Sequence, residues 1–243
     1  MVSLRDLITN IPPLLTGEDT RSLPSPSMGE GEGGGDNSPS ITYLDPATHL
    51  EEAASILSPD EREQAMRLHR TTDRQSYIFA HAVLRLLLSS RLETDPGSIR
   101  FEIGKHGKPA LLFPRRDIHF NLSHADNAIA IALAASPIGI DVDAVRDDLD
   151  LDGIGQRFFT SDELDYLNCA SPGEKRKRFF YIWTRKEALA KAAGTGVDAI
   201  TSVSVLRDCV RMADESGFMR EYSVQTPSPP SGYSLALALQ TLT

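Results

Sequence analysis

Cysteine and tryptophan are nearly missing from this chain: two cysteines, Cys169 and Cys209, and one tryptophan in 243 residues. Two cysteines cannot build a thiolate metal cluster and suggest no disulfide framework, so the expected compartment is the cytoplasm. Long apolar runs are missing too. The stretch Ala128 to Ala135 (AIAIALAA) is far short of the roughly 18 residues that suggest a membrane span, so no membrane association is expected. The first twenty residues hold one arginine, two prolines and early acids, a poor secretory signal. Positive charge is in deficit: 25 basic against 34 acidic residues leave −9, which argues against a nucleic-acid partner. What remains is a globular composition, 40% hydrophobic and 24% charged, long enough for one large domain or two small ones.

Residues 24–40 (PSPSMGEGEGGGDNSPS) have almost nothing to bury, and the stretch 1–40 is expected to be a flexible low-complexity tail. Its glycines form no phosphate loop, because no lysine, preceding strand or following helix accompanies them. Order is expected from about Ile41. Ser58-Pro59-Asp60-Glu61 predicts a helix start with a capping box, and helices are expected to about His69 and from about Asp73 to Arg91. Short β-like runs follow at 99–103, 110–113, 118–122, 128–135 and 138–142. Thr160 and Glu163 predict a second capping box, and Glu174 to Ala193 a long helix stopped by Gly194. Strands are expected near 202–211, 218–225 and 233–241. The order implies an α+β fold with two similar lobes, although no sequence repeat is visible.

Four clusters could carry chemistry. In Ile138-Gly139-Ile140-Asp141-Val142-Asp143, strand alternation turns both carboxylates to one side. They suit a hard cation such as Mg²⁺, or they are solvated acids at a strand end. Glu187 and Lys191 lie four apart on a helix, ordinarily a weak surface pair, but they follow the aromatic run Phe179–Trp183. The run Lys175 to Arg178 before it is either a solvated helix start or a hint of an acidic partner. Ser123 and His124 are adjacent on a strand end and so point apart, which disfavours a nucleophile–base pair; they could donate to phosphate or be structural. Lys108 in Lys105-His106-Gly107-Lys108-Pro109 suits a polyphosphate, as do Arg70 and Arg74, yet ordinary surface turns look the same.

Read in order, GKP, FNLSH, GIDVD, RFFTSDE and FYIWTRKEALAKAAGTG resemble the motif set of the Sfp-type 4′-phosphopantetheinyl transferases. The resemblance covers roughly residues 43–205. It implies a pseudo-twofold α+β fold, with lobes at 41–137 and 138–243 and the metal site in the second. The implied activity is transfer of the phosphopantetheine arm of coenzyme A to a serine of an apo acyl or peptidyl carrier protein, releasing adenosine 3′,5′-bisphosphate. By motif position, Asp141, Asp143 and Glu187 would hold Mg²⁺, Glu187 would also be the base, and Lys191 would stabilise the leaving phosphate. Lys108, Pro109, Ser123 and His124 would bind coenzyme A, with Arg70 and Arg74 on its 3′-phosphate. The resemblance suggests a monomer of the holo-(acyl-carrier-protein) synthase type. Asp143 stands where the family commonly has glutamate, which implies altered metal affinity. The alternatives are a Mg²⁺-dependent pyrophosphate-cleaving hydrolase and a silent binder of carrier protein or coenzyme A.

Overall fold

The computed structural model describes residues 40–43, 46–126, 128–229 and 231–241, so the expected tail 1–40 lies outside them except for Ser40. Strand β1 (Ser40–Tyr43) is followed by helices α1 (Pro46–Ile56), α2 (Pro59–Arg67) and α3 (Thr71–Leu92), then a 3₁₀ turn at Pro96–Ser98. Strands β2 (Arg100–Ile103), β3 (Pro109–Phe113), β4 (His119–Ala125) and β5 (Ala128–Ala134) complete this half. The order then begins again. Strand β6 (Ile138–Ala144) leads to α4 (Leu151–Phe158), α5 (Ser161–Asn168), α6 (Pro172–Ala193), a 3₁₀ turn at Val197–Ile200, and strands β7 (Cys209–Ala213), β8 (Met219–Gln225) and β9 (Tyr233–Gln240).

Local chemistry accounts for several of these boundaries. Ser58 and Glu61 close a reciprocal cap at the start of α2, and Thr160 and Glu163 do the same for α5. Helix α6 ends at Gly194, whose φ of +71° is a left-handed conformation that glycine adopts without Cβ strain.

Sheet pairing repeats as well. Antiparallel β1–β5–β4 forms one sheet and β6–β9–β8–β7 another, so β1 pairs with β5 as β6 pairs with β9; β2 and β3 form a separate hairpin. The α+β class and the two similar halves are as expected. One apolar core surrounds α3, with Phe79, Leu84, Phe120 and Ile131, and another surrounds α6, with Phe179, Phe180, Ile182 and Tyr222. Between them lies a third, built from alternate residues of β5, β6 and β9, among them Ala130, Ile140, Val142 and Leu237. This central layer packs the first sheet, through its middle strand β5, against β6 and β9 of the second.

The structure differs from expectation in four places. Strand β1 and helices α1 and α4 were not expected; α4 contains Gly153 and Gly155, which weaken helix propensity, but Asp150 caps it by accepting from the Gly153 N–H at 3.0 Å. Residues 202–208 are not a strand, and only 209–213 pair. The alternating valines there are half or fully buried, but side chains satisfy their backbone: Val205 N–H donates to Glu163, while the carbonyls of Val203 and Val205 accept from Lys186 and Arg185. Apolar alternation without a free ladder edge looks like a strand in sequence and is not one.

Candidate active site

The site begins with a missing side chain. A Cβ on Gly139 would stand 2.0 Å from Ala188 O and 2.5 Å from Ala192 N, so only glycine lets β6 lie this close to α6. The approach sets the strand beside the helical turn carrying Glu187 and Lys191. Along β6, Ile140 and Val142 enter the central core, while Asp141 and Asp143 face the other way.

Asp141 is buried, and its Oδ1 accepts from Lys191 Nζ at 2.7 Å and from Ser123 Oγ at 2.9 Å. Lys191 also reaches Ser123 Oγ at 3.2 Å and Ile140 O at 3.3 Å. The i,i+4 spacing pointed Lys191 at Glu187; its ion-pair partner is instead Asp141, fifty residues earlier. Among the described residues, no hydrogen bond or ion pair engages the Glu187 carboxylate. Burial raises its proton affinity above the ordinary carboxylate range, and the charges of Asp141 and Asp143 raise it further against the pull of Lys191. Asp143 is shifted upward likewise, by burial first and by Asp141, with Arg146 at 3.5 Å opposing.

The remaining candidates flank this centre. Ser123 donates to Asp141 and accepts from Lys191 and from the Val142 N–H at 3.3 Å, which uses its full hydrogen-bonding capacity. Contact with a phosphate would require it to give up one of these. His124 follows on β4; desolvation lowers its basicity, as do His81 and Lys191, while Asp73 at the start of α3 opposes them. Arg70 and Arg74 occupy that same start. The Arg74 guanidinium donates to Leu68 O at 2.9 Å, and its Nε is buried without a partner. Lys108 crosses between the halves, donating to Ile138 O at 2.8 Å and Lys191 O at 2.6 Å. Burial lowers its pKa to about 8, with Lys191 adding to the shift and Glu215 opposing it. Pro109 opens β3 beside it.

The basic run at the start of α6 is largely spent within the chain. Lys175 pairs with Asp152, Arg176 with Asp147, and Arg178 with Glu174 while stacking on Tyr166. Two residues that matter escaped the sequence reading as individuals, although both stand inside motifs already singled out. Gly139 is one. Asn121 is the other, with its side-chain oxygen accepting from the Ile140 N–H at 2.8 Å.

Among the described residues, no three His, Cys, Asp or Glu side chains close into a ready metal cage. The donor set nevertheless fits a hard divalent cation. Glu187 and Asp143 both have raised proton affinity, partly through neighbouring carboxylates, and a cation would relieve that repulsion. Among the described residues no helix is long and apolar enough to cross a membrane.

Residues 137–235 match the family model described as the 4′-phosphopantetheinyl transferase superfamily, and residues 45–137 match 4′-phosphopantetheinyl transferase, N-terminal. The 4′-phosphopantetheinyl transferase HetI of Nostoc is 33% identical over 66% of this chain and 69% of its own length. The 4′-phosphopantetheinyl transferase Sfp of Bacillus subtilis is 30% identical over 59% of this chain and 62% of its own, so the match spans under two thirds of that relative. A solved holo-(acyl-carrier-protein) synthase of Bacillus anthracis covers 44% of this chain and 96% of its own, at 21% identity and a TM-score of 0.33.

Proposed function

We propose that this chain, which belongs to the 4′-phosphopantetheinyl transferase superfamily, moves the phosphopantetheine arm of coenzyme A onto a serine hydroxyl of an apo acyl or peptidyl carrier protein. The observation that carries this reading is the unpaired, proton-avid carboxylate of Glu187 beside the Lys191–Asp141 pair. The nucleophile comes with the partner, so the site needs a base and charge stabilisation and no activated nucleophile of its own.

In this reading Glu187, whose carboxylate is raised in proton affinity by burial and by Asp141, takes the proton of the incoming serine hydroxyl. The serine oxygen bonds to the phosphorus bearing the pantetheine arm, the pyrophosphate P–O bond breaks, and its electron pair leaves with adenosine 3′,5′-bisphosphate. Lys191 holds positive charge at the reacting phosphates, oriented by Asp141 and Ser123. Lys108, Pro109 and His124 would contact coenzyme A, with Arg70 and Arg74 on its 3′-phosphate. Asp141, Asp143 and Glu187 would hold Mg²⁺, which when bound neutralises pyrophosphate charge. The shorter Asp143 side chain favours a weaker grip on the ion. The lobes meet at residues 137/138, and the enzyme is of the holo-(acyl-carrier-protein) synthase type, monomeric and cytoplasmic.

Intact-mass analysis of an apo carrier protein after incubation with this protein, coenzyme A and Mg²⁺ tests the reading. A gain of one phosphopantetheine, lost with EDTA, is expected. Coenzyme A cleavage without carrier modification would replace it with a hydrolase. Coenzyme A binding without any turnover, across several carriers, would leave a silent binder.

A further inference from the structure

Strand β6 is the edge of its sheet, hydrogen-bonded to β9 on one side, and β4 is the edge of the other sheet, hydrogen-bonded to β5. The two edges lie side by side without pairing as a β-ladder. Two successive outward amides of β6 are met instead by two side chains of β4, spaced two apart and so on one side of that strand. Asn121 Oδ1 accepts from Ile140 N–H at 2.8 Å, and Ser123 Oγ accepts from Val142 N–H at 3.3 Å. Both side chains and both amides are buried, so a lost acceptor would leave an unsatisfied donor.

The two bonds differ in what else they hold. Ser123 also touches Asp141 and Lys191, and so belongs to the site. Among the described hydrogen bonds the Asn121 side chain has only the Ile140 amide and engages neither Asp141 nor Lys191. That amide immediately precedes Asp141. We propose that Asn121 is a positioning residue: it pins β6 to β4 one residue before Asp141, and thereby sets where the Asp141 carboxylate stands relative to Ser123 and Lys191. A side-chain acceptor can do this where a β-ladder cannot, because a ladder between β4 and β6 would bring backbone into the space that the Ser123, Asp141 and Lys191 side chains fill. The proposal rests on the transferase reading for its kinetic consequence, but not for its structural one.

The test compares wild type with Asn121→Ala and Asn121→Ser. Serine carries its acceptor one bond nearer the backbone than asparagine, so it can meet the Ile140 amide only through a water or a small shift of the strands. Three quantities are measured: amide hydrogen exchange at Ile140, Mn²⁺ binding followed by electron paramagnetic resonance, and transfer kinetics. Asn121→Ala should lose Ile140 protection, weaken Mn²⁺ binding severalfold, and lower kcat about tenfold or more with little change in KM for coenzyme A. Asn121→Ser should fall between Asn121→Ala and wild type in all three. A side chain that merely stabilises the fold would lower the melting temperature and leave Mn²⁺ affinity and kcat per folded molecule unchanged. That result overturns the proposal, as does Ile140 protection surviving in Asn121→Ala. Should Asn121→Ala fail to fold, Asn121→Ser is judged against wild type on the same readouts. If wild type itself transfers nothing, the transferase reading fails, and exchange with Mn²⁺ binding still decides the role of Asn121.

Discussion

In the first half, the capping glutamate of α2, Glu61, turns inward to Arg85 of the long helix α3 at 2.6 Å, and Arg85 donates onward to Pro96 O and Ile99 O. In the second half, Glu163 of α5 meets Lys186 of the long helix α6 at 2.9 Å, and Lys186 donates onward to Ile200 O and Val203 O. Each device ties a helix cap to a long helix and to the 3₁₀ turn that follows it. Such pairs add little net stability, since burying two charges costs about what their attraction returns, but they are specific about which groups must meet. Aligning Arg85 with Lys186 puts Leu86 opposite Glu187 and Ser90 opposite Lys191. The halves therefore share a scaffold, and the charged pair of the proposed site exists in only one of them. One helical position after the structural cation, the first half has a core leucine and the second an unpaired carboxylate.

The sharpest way to break this comparison is to change each of the aligned positions separately. Glu187→Gln should lower transfer by about 10²–10⁴-fold with little change in unfolding, as loss of a general base would. Leu86→Ala should do the reverse, costing about 2–5 kcal/mol in urea unfolding while leaving kcat per folded molecule near wild type. Unchanged transfer in Glu187→Gln would sink its role as base. Next in size are the two cations. Lys186→Met strands Glu163 in a fully buried place and should cost about 3–5 kcal/mol; Arg85→Met should cost less, because Glu61 keeps His81 at 3.2 Å and some solvent. Equal losses would mean that burial of the acid does not decide the penalty.

A pH titration separates the halves further. Burial alone would raise the Glu61 pKa, but hydrogen bonds from His81 and Arg85 and the Arg85 charge outweigh it and bring it from 4.5 to about 2. A depressed carboxylate stabilises the fold above its unfolded value and loses that contribution as pH falls from about 4.5 towards 2. The loss should be about 3 kcal/mol in wild type and much smaller in Arg85→Met, followed by urea midpoints across that window. The smallest effect concerns Lys108, which discharges near pH 8. KM for coenzyme A should rise a few-fold above that pH in wild type, and the rise should vanish in Lys108→Met; a rise that persists would assign the titration elsewhere.

Much of this was legible along the chain because it depends on near neighbours. Both capping boxes were predicted from four-residue patterns and formed as expected. Alternation along β6 put Asp141 and Asp143 on one side, and the glycine after Ala193 ended α6. Where contacts are distant, local pattern misled or was silent. Val203 and Val205 alternate with serines like a strand, yet buried side chains take their backbone bonds. The cations of Lys175 to Arg178 hint at an acidic partner in sequence, which could not show that Asp152 and Asp147, over twenty residues earlier, lie against Lys175 and Arg176 in the fold.

By itself the sequence determined most of the elements, their order and the side of each on which chemistry could lie, because caps, turns and alternation act over a few residues. Only the tertiary structure decided that Lys191 serves Asp141 and leaves Glu187 free, that Lys108 bridges the halves, and that Asn121 holds β6 in place. Each of those depends on Gly139 letting a strand come against a helix, or on two sheet edges meeting. A contact between residues fifty positions apart leaves no periodicity for a sequence to display.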